Sequence, residues 1–189
     1  MAISRDNLIT LGLKGKFGNQ LVFKTQKGQT IITKKPRLND KKSEAQLKQR
    51  SRFGAATSYA KRAIADEDIR KLYDAKAQQS DKLQRAFNVA VADFMCAPEI
   101  QCIDVSAYSG QIGDHIIISA TDDFMVKEVK VEVRRYDGSL VEEGSATLTS
   151  NGSDWVYCIQ SYNELVEGSS VVIRVSDLPG NICEEEVVC

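Results

Sequence analysis

The sequence has one histidine, one tryptophan and three prolines in 189 residues. A lone histidine restricts any Ser-His-Asp or Cys-His machinery to His115. His115 alternates out of phase with Ile116 and Ile118, so it belongs to the polar face of a strand, and a surface histidine is expected. The five cysteines (Cys96, Cys102, Cys158, Cys183 and Cys189) form no C-x-x-C pair, which removes the usual basis of a structural zinc site. Their odd number and wide spacing predict reduced thiols, buried or half-buried. A Cys102–Cys183 bridge is the alternative for an exported protein. No apolar run approaches the ~20 residues of a membrane helix, so no span is expected. Asp6, Asn7 and Thr10 interrupt the only apolar stretch near the N-terminus, which disfavours a secretory signal and predicts a cytoplasmic protein. Signal-independent export, or incorporation into a particle, stays open beside that reading. With 12 glycines and so few prolines, low complexity is excluded.

What the sequence does have is charge, unevenly placed. Residues 1–100 carry 20 Lys/Arg and 10 Asp/Glu, whereas residues 101–189 carry 5 and 16. The net charge of −1 conceals this division. The basic side is densest at the start, with 15 Lys/Arg and 3 acids in residues 1–62.

Periodicity divides the chain at about the same place. Residues 20–25 and 29–34 read as two strands of a β-hairpin, with Gly28 in the connection. Pro36 ends the second strand, and a basic loop follows. Ser43 and Gln46 have the spacing of a capping box, which predicts a helix over residues 44–64. Ala45, Gln49, Phe53, Ala56, Ala60 and Ala63 trace its expected buried face. Asp66, Glu67 and Asp68 open a second helix, with Ile69, Leu72, Tyr73 and Lys76 at helical spacing. Ser80 or Asp81 is the expected cap of a third, with Leu83, Ala86, Phe87, Ala90, Val91 and Phe94 on its stripe. After Pro98 the period becomes two: Val129, Val131 and Val133 alternate with Lys130, Glu132 and Arg134. Strands are expected at 102–107, 113–120, 126–135, 140–148, 154–160, 170–176 and 182–188. The prediction is an α+β protein in two domains. Residues 1–98 form a basic β-hairpin plus three helices, and residues 99–189 an acidic, seven-stranded antiparallel β-sandwich.

Ile118, Asp122 and Asp123, the run 126–133, Asp137 and Gly138, residues 140–144, Trp155 and Tyr157, and Val175 to Asn181 carry a resemblance over about half the chain. By these residues the C-terminal part resembles bacterial immunoglobulin-like and fibronectin-type-III-like modules. The resemblance implies an Ig-like sandwich and specifies no activity. Two features depart from the antibody type: the single Trp155 falls on the predicted fifth strand, and no cysteine pair is placed to bridge the sheets. The N-terminal part, through Gly15 to Lys34, Lys35 and Pro36, and Ser43, Gln46, Arg50 and Phe53, resembles uncharacterised bacterial and phage-associated proteins. That resemblance implies a phage-like or secretion-related structural component.

Gly12, Gly15 and Gly18 match neither a P-loop nor a dinucleotide fingerprint, so they read as turns. Asp122 and Asp123 could act as acid and base or bind calcium, with Asp177 and Asn181 converging on the same end of the sandwich. The closely spaced acids and bidentate Glu of a dedicated calcium loop are absent, so solvated turn acids are expected, with no metal and no cofactor. Glu184, Glu185 and Glu186 read as protection of an edge strand. The strongest signal is the basic segment. Lys24, Lys27, Lys34, Lys35, Arg37, Lys41 and Lys42 are its candidate binding residues, with Phe17 and Phe23 interleaved. They suit an acidic protein partner, or self-association with the acidic sandwich of a second copy. The alternative is nucleic-acid binding by the hairpin and loop. Neither half offers nucleophile, base and oxyanion donors together, so no enzyme and no small-molecule substrate is expected. The leading expectation is a non-catalytic structural or interaction protein, with a calcium-dependent surface module as a third reading.

Overall fold

The computed structural model describes residues 2–4, 10, 12–18, 20–26, 29–35, 43–79 and 85–189. By contact density the chain divides into two compact units, Met1–Leu47 and Lys48–Cys189. The change of period near residue 98 marks a change of secondary structure. The compact units part earlier, and most of the first helix groups with the sheets that follow.

In the first unit the expected hairpin is present, as β3 (Leu21–Gln26) and β4 (Gln29–Lys34). It is the centre of a larger sheet. Two three-residue strands, β1 (Ala2–Ser4) and β2 (Gly15–Phe17), flank it in the order β1-β4-β3-β2. The hairpin expectation is corrected here to a four-stranded antiparallel sheet. Strands of three residues are too short to show a period, and Gly12, Gly15 and Gly18 gave the segment the look of a loop. Gly18 does turn the chain between β2 and β3, at φ +56°.

At the start of the first helix the capping box forms as predicted. The Ser43 amide donates to Gln46 Oε1 (3.2 Å) and the Gln46 amide to Ser43 Oγ (3.3 Å), opening α1 (Glu44–Ala63). Asp66 Oδ1 accepts from the amides of Asp68 and Ile69 at the start of α2 (Glu67–Gln79). The third helix, α3, is described from Ala86 to Met95, after Arg85. The expected cap residues Ser80 and Asp81, and Leu83, lie outside the described residues. Ala60, Ala63, Tyr73, Ala77, Ala86, Val89 and Ala90 form the helical core. Phe53 is 54% exposed and Leu72 46% exposed, so the predicted stripes run past the part of each helix that its neighbours cover.

The remaining residues form two four-stranded antiparallel sheets. One has the order β5-β6-β10-β9, from β5 (Glu99–Asp104), β6 (His115–Thr121), β10 (Asp154–Cys158) and β9 (Thr147–Leu148). The other has the order β12-β11-β7-β8, from β7 (Val126–Arg134), β8 (Leu140–Ser145), β11 (Ser170–Asp177) and β12 (Ile182–Val188). Ile116, Ile118, Trp155 and Tyr157 from the first sheet share one core with Val129, Val131, Val133, Val171, Ile173 and Val175 from the second. These inward residues alternate along their strands as the sequence requires.

The expected seven strands become eight. The single strand predicted at 140–148 changes sheets at buried Ala146, whose amide donates to the Val129 carbonyl at 2.8 Å. Before it, β8 pairs with β7; after it, β9 pairs with β10. Both pieces are extended, so the periodicity contains no break to read. All five cysteines are free, but Cys96, Cys102 and Cys158 are exposed. The expected burial therefore holds in part only for Cys183 and Cys189.

On the outer face of the second sheet Glu132 is enclosed by two arginines. Its Oε2 accepts from Arg174 Nη1 at 2.8 Å and its Oε1 from Arg134. Burial acts to raise the Glu132 carboxyl, and the Arg174 and Arg134 hydrogen bonds outweigh it, leaving it below the usual range. A depressed native value stabilises the fold above the unfolded glutamate range and is lost as pH falls through the native value. Glu132→Gln is therefore expected to cost about 1 kcal/mol at neutral pH and nothing once wild-type Glu132 is protonated. Urea unfolding of both proteins at neutral and acidic pH checks this. A difference that persists undiminished in acid contradicts it.

Candidate functional site

Of the predicted basic residues, the structure describes Lys24, Lys34 and Lys35. Lys24 on β3 is exposed and pairs in register with Ile31. Lys34, at the end of β4, is exposed and pairs with Leu21. Side chains alternate along a strand, so Lys24 and Lys34 occupy opposite faces of the sheet. By the same register Lys34 shares its face with Phe17 and Phe23, and Lys24 shares the other with Lys16. Lys35 follows β4, and its amide donates to the Gln20 carbonyl at 2.9 Å. Lys27, Arg37, Lys41 and Lys42 lie outside the described residues. Phe17 is 72% exposed on the outermost strand, with its ring edge-on to Phe23 at 6.4 Å.

The other chemistry-bearing group lies within the second unit, where α3 meets the turns of the sandwich. Asp93 in the last turn of α3, Asp122 after β6 and Asp177 at the end of β11 each place a carboxylate oxygen within 4.8 Å of the other two. The convergence of Asp122 with Asp177 was legible in the sequence; their burial was not. Asp177 is fully buried and Asp122 half-buried, so only Asp123 fits the reading of a solvated turn acid. Sequence reasoning missed Asp93. Its signal was position: it lies three and seven residues after Ala90 and Ala86, on the stripe that buries.

Local hydrogen bonds hold each member. Asp122 Oδ2 accepts from the amides of Phe124 (3.0 Å) and Met125 (2.9 Å). Asp177 Oδ1 accepts from the amides of Gly180 (2.7 Å) and Asn181 (2.6 Å), and its Oδ2 from Asn181 Nδ2 (2.6 Å). The same Asn181 Nδ2 faces the carbonyls of Asp93, Phe94 and Cys96, the nearest at 2.8 Å. It satisfies acceptors that the end of a helix leaves open. Tyr59 and Tyr73 hydroxyls are 2.9 Å apart, and Tyr73 donates to Asp93 Oδ2. Tyr73 also stacks on Phe124, with ring centroids 4.4 Å apart.

Electrostatics set this cluster apart. Burial pushes the Asp93 carboxyl up to about 7; the Tyr73 hydrogen bond opposes the shift, and the charges of Asp122 and Asp177 add to it. Burial also raises Asp177, against the hydrogen bonds from Asn181 and Gly180. Burial, then the bond to Asp93, carries Tyr73 far above the phenol range, which keeps it a proton donor. Nearby, the exposed Cys96 thiol is pushed up to about 11, first by its hydrogen bond with Asp123 and then by burial. It is therefore a poor nucleophile. His115 is exposed at the start of β6 and pairs in register with Cys158, on the polar side predicted for it.

No protein-family model matches the chain. No curated protein matches it either. Among solved structures, the crystal structure of CopC from Methylosinus trichosporium OB3b is similar over 47% of this chain and 87% of its own, at 19% identity and a TM-score of 0.34.

Proposed function

We propose that this chain is a non-catalytic interaction protein whose basic N-terminal unit binds acidic protein surfaces, a second copy of the chain first among them. The observation that carries this is how the charge falls on the compact units. Residues 1–47 carry 10 Lys/Arg and 3 Asp/Glu (+7), and residues 48–189 carry 15 and 23 (−8). Nearly equal and opposite units on one chain favour contact between the basic unit of one copy and the acidic unit of another. Phe17, exposed on an edge strand, supplies an apolar anchor beside the lysines. An open strand edge also offers backbone groups to a partner's strand. In this reading the two sheets of the second unit form an immunoglobulin-like sandwich presenting the acidic surface, including the exposed Glu184, Glu185 and Glu186 of edge strand β12.

Light scattering on purified protein at low and high salt tests the proposal. Association is expected at low salt and is lost when screening shrinks to a few Å. Lys24→Glu with Lys34→Glu is expected to abolish it, since reversing both charges acts on both faces of the sheet. A protein that stays monomeric at low salt and high concentration overturns self-association. Tight, salt-sensitive binding of labelled DNA or RNA, measured by fluorescence anisotropy, would replace it with a nucleic-acid reading.

A further inference from the structure

We propose that Asp93, Asp122 and Asp177 bind a hard divalent cation, with calcium the best match in coordination. The three carboxylates alone would not justify this. The second observation is that Asp93 Oδ1 and Asp122 Oδ1 are both buried without a hydrogen-bond partner. Asp93 itself is only 2% exposed. A buried carboxylate oxygen without a donor is costly, and such groups are ordinarily paired or coordinate a metal. Among the described residues no lysine or arginine forms an ion pair with any of the three. The last turn of α3, where Asp93 sits, carries no basic residue, so the negative end of that helix adds to the same potential.

Coordination favours calcium. Three carboxylate oxygens no more than 4.8 Å apart can be spanned by Ca–O bonds of roughly 2.3–2.6 Å in calcium's tolerant, irregular shell, whereas magnesium demands near-ideal octahedral geometry and gives up its waters reluctantly. Asp122, being half-buried, connects the cluster to solvent. Water would complete the shell there, as it does in many calcium sites. The three ligands come from α3, from the segment between β6 and β7, and from the end of β11. The cation would therefore clamp a helix to both sheets of the second unit. This site is independent of the association proposed above: it involves no residue of the basic unit, and calcium-dependent melting can fail or succeed whatever light scattering shows.

The test is thermal melting of the chelator-treated full-length chain, followed by circular dichroism above the carboxylate titration range, with calcium or magnesium chloride added. Calcium is expected to raise the melting temperature by about 5–10 °C at a hundredfold excess over its dissociation constant, and magnesium by less. Equilibrium dialysis should find one calcium per chain. Asp122→Asn is expected to fold normally, because its amide oxygen still accepts from Phe124 and Met125, and to lose the calcium shift. Asp93→Asn is expected to melt higher than wild type without metal, because a buried charge is gone, and also to lose the shift. No shift and no bound ion in wild type up to about 5 mM calcium, above the weakest protein calcium sites, overturns the proposal. Equal shifts in wild type and both variants overturn it as well.

Discussion

Replacing Tyr73 with alanine is expected to destabilise the Lys48–Cys189 unit by about 4–6 kcal/mol, enough to unfold it or nearly so. Two losses combine. Tyr73 is fully buried at the centre of the helical core and stacks on Phe124, and truncating a buried aromatic leaves a cavity that its neighbours fill only in part. Its hydroxyl is also the donor to Asp93 Oδ2, and Asp93 is buried beside two further carboxylates. Without that donor both Asp93 oxygens would lack a hydrogen bond, since Oδ1 already does. Tyr73→Phe separates the two losses: it keeps the ring and is expected to cost about 1–3 kcal/mol, the desolvation of an unpaired polar group. Urea unfolding followed by far-ultraviolet circular dichroism measures both variants. A Tyr73→Ala cost below about 2 kcal/mol would show that the core relaxes around the gap.

The second large effect is expected at Gly110. Its φ is +82°, where side chains other than glycine are strained. A Cβ there would overlap the Asn163 carbonyl oxygen and lie 2.5 Å from Val166 Cγ2. The carbonyl cannot easily retreat. The Asn163 amide donates to the Gly110 carbonyl at 2.9 Å. Asn163 Nδ2 donates to Tyr108 Oη and Ser169 Oγ, each at 3.0 Å, in a site that is 1% exposed. Gly110→Ala is therefore expected to cost about 3–5 kcal/mol, the sum of backbone strain and steric overlap. Gly113→Ala is the control. Its φ is also positive, +97°, but a Cβ there meets nothing within 4 Å. It should show only the conformational part, about 1–2 kcal/mol. Melting temperatures of the two variants make the comparison, and equal losses would mean that the Asn163 loop yields.

The residues that alternate strictly were legible in the sequence. Val129, Val131 and Val133, with Val171, Ile173 and Val175, point inward as their period requires, and the cap at Ser43 and Gln46 forms as its spacing predicts. Illegible features depended on partners distant in the chain. The sheet change at Ala146 is set by the strand on either side, and nothing in residues 140–148 records it. The strands β1 and β2 draw their definition from the hairpin between them. Lys24 and Lys34 looked like one patch because the sequence counts charges without assigning faces; strand register separates them. Asp93 was passed over because a carboxylate on an otherwise apolar stripe reads as an interruption, whereas here the interruption is the site.

The Asn181 amide reaches carbonyls 85 to 88 residues earlier in the chain. That span sets an order of events in folding. The turn that carries Asn181 has its shape only when β11 and β12 have paired, and those are the last two strands of the sequence. The end of α3 can thus be seated only after that hairpin has formed, although α3 itself can form early from local contacts. Docking of the helices belongs to the late, high-contact-order part of the pathway, and it closes a loop of roughly 90 residues, whose entropic cost grows only with the logarithm of its length. Until then the helical bundle has its acidic end exposed to water, and the carboxylates come together only in the final assembly step.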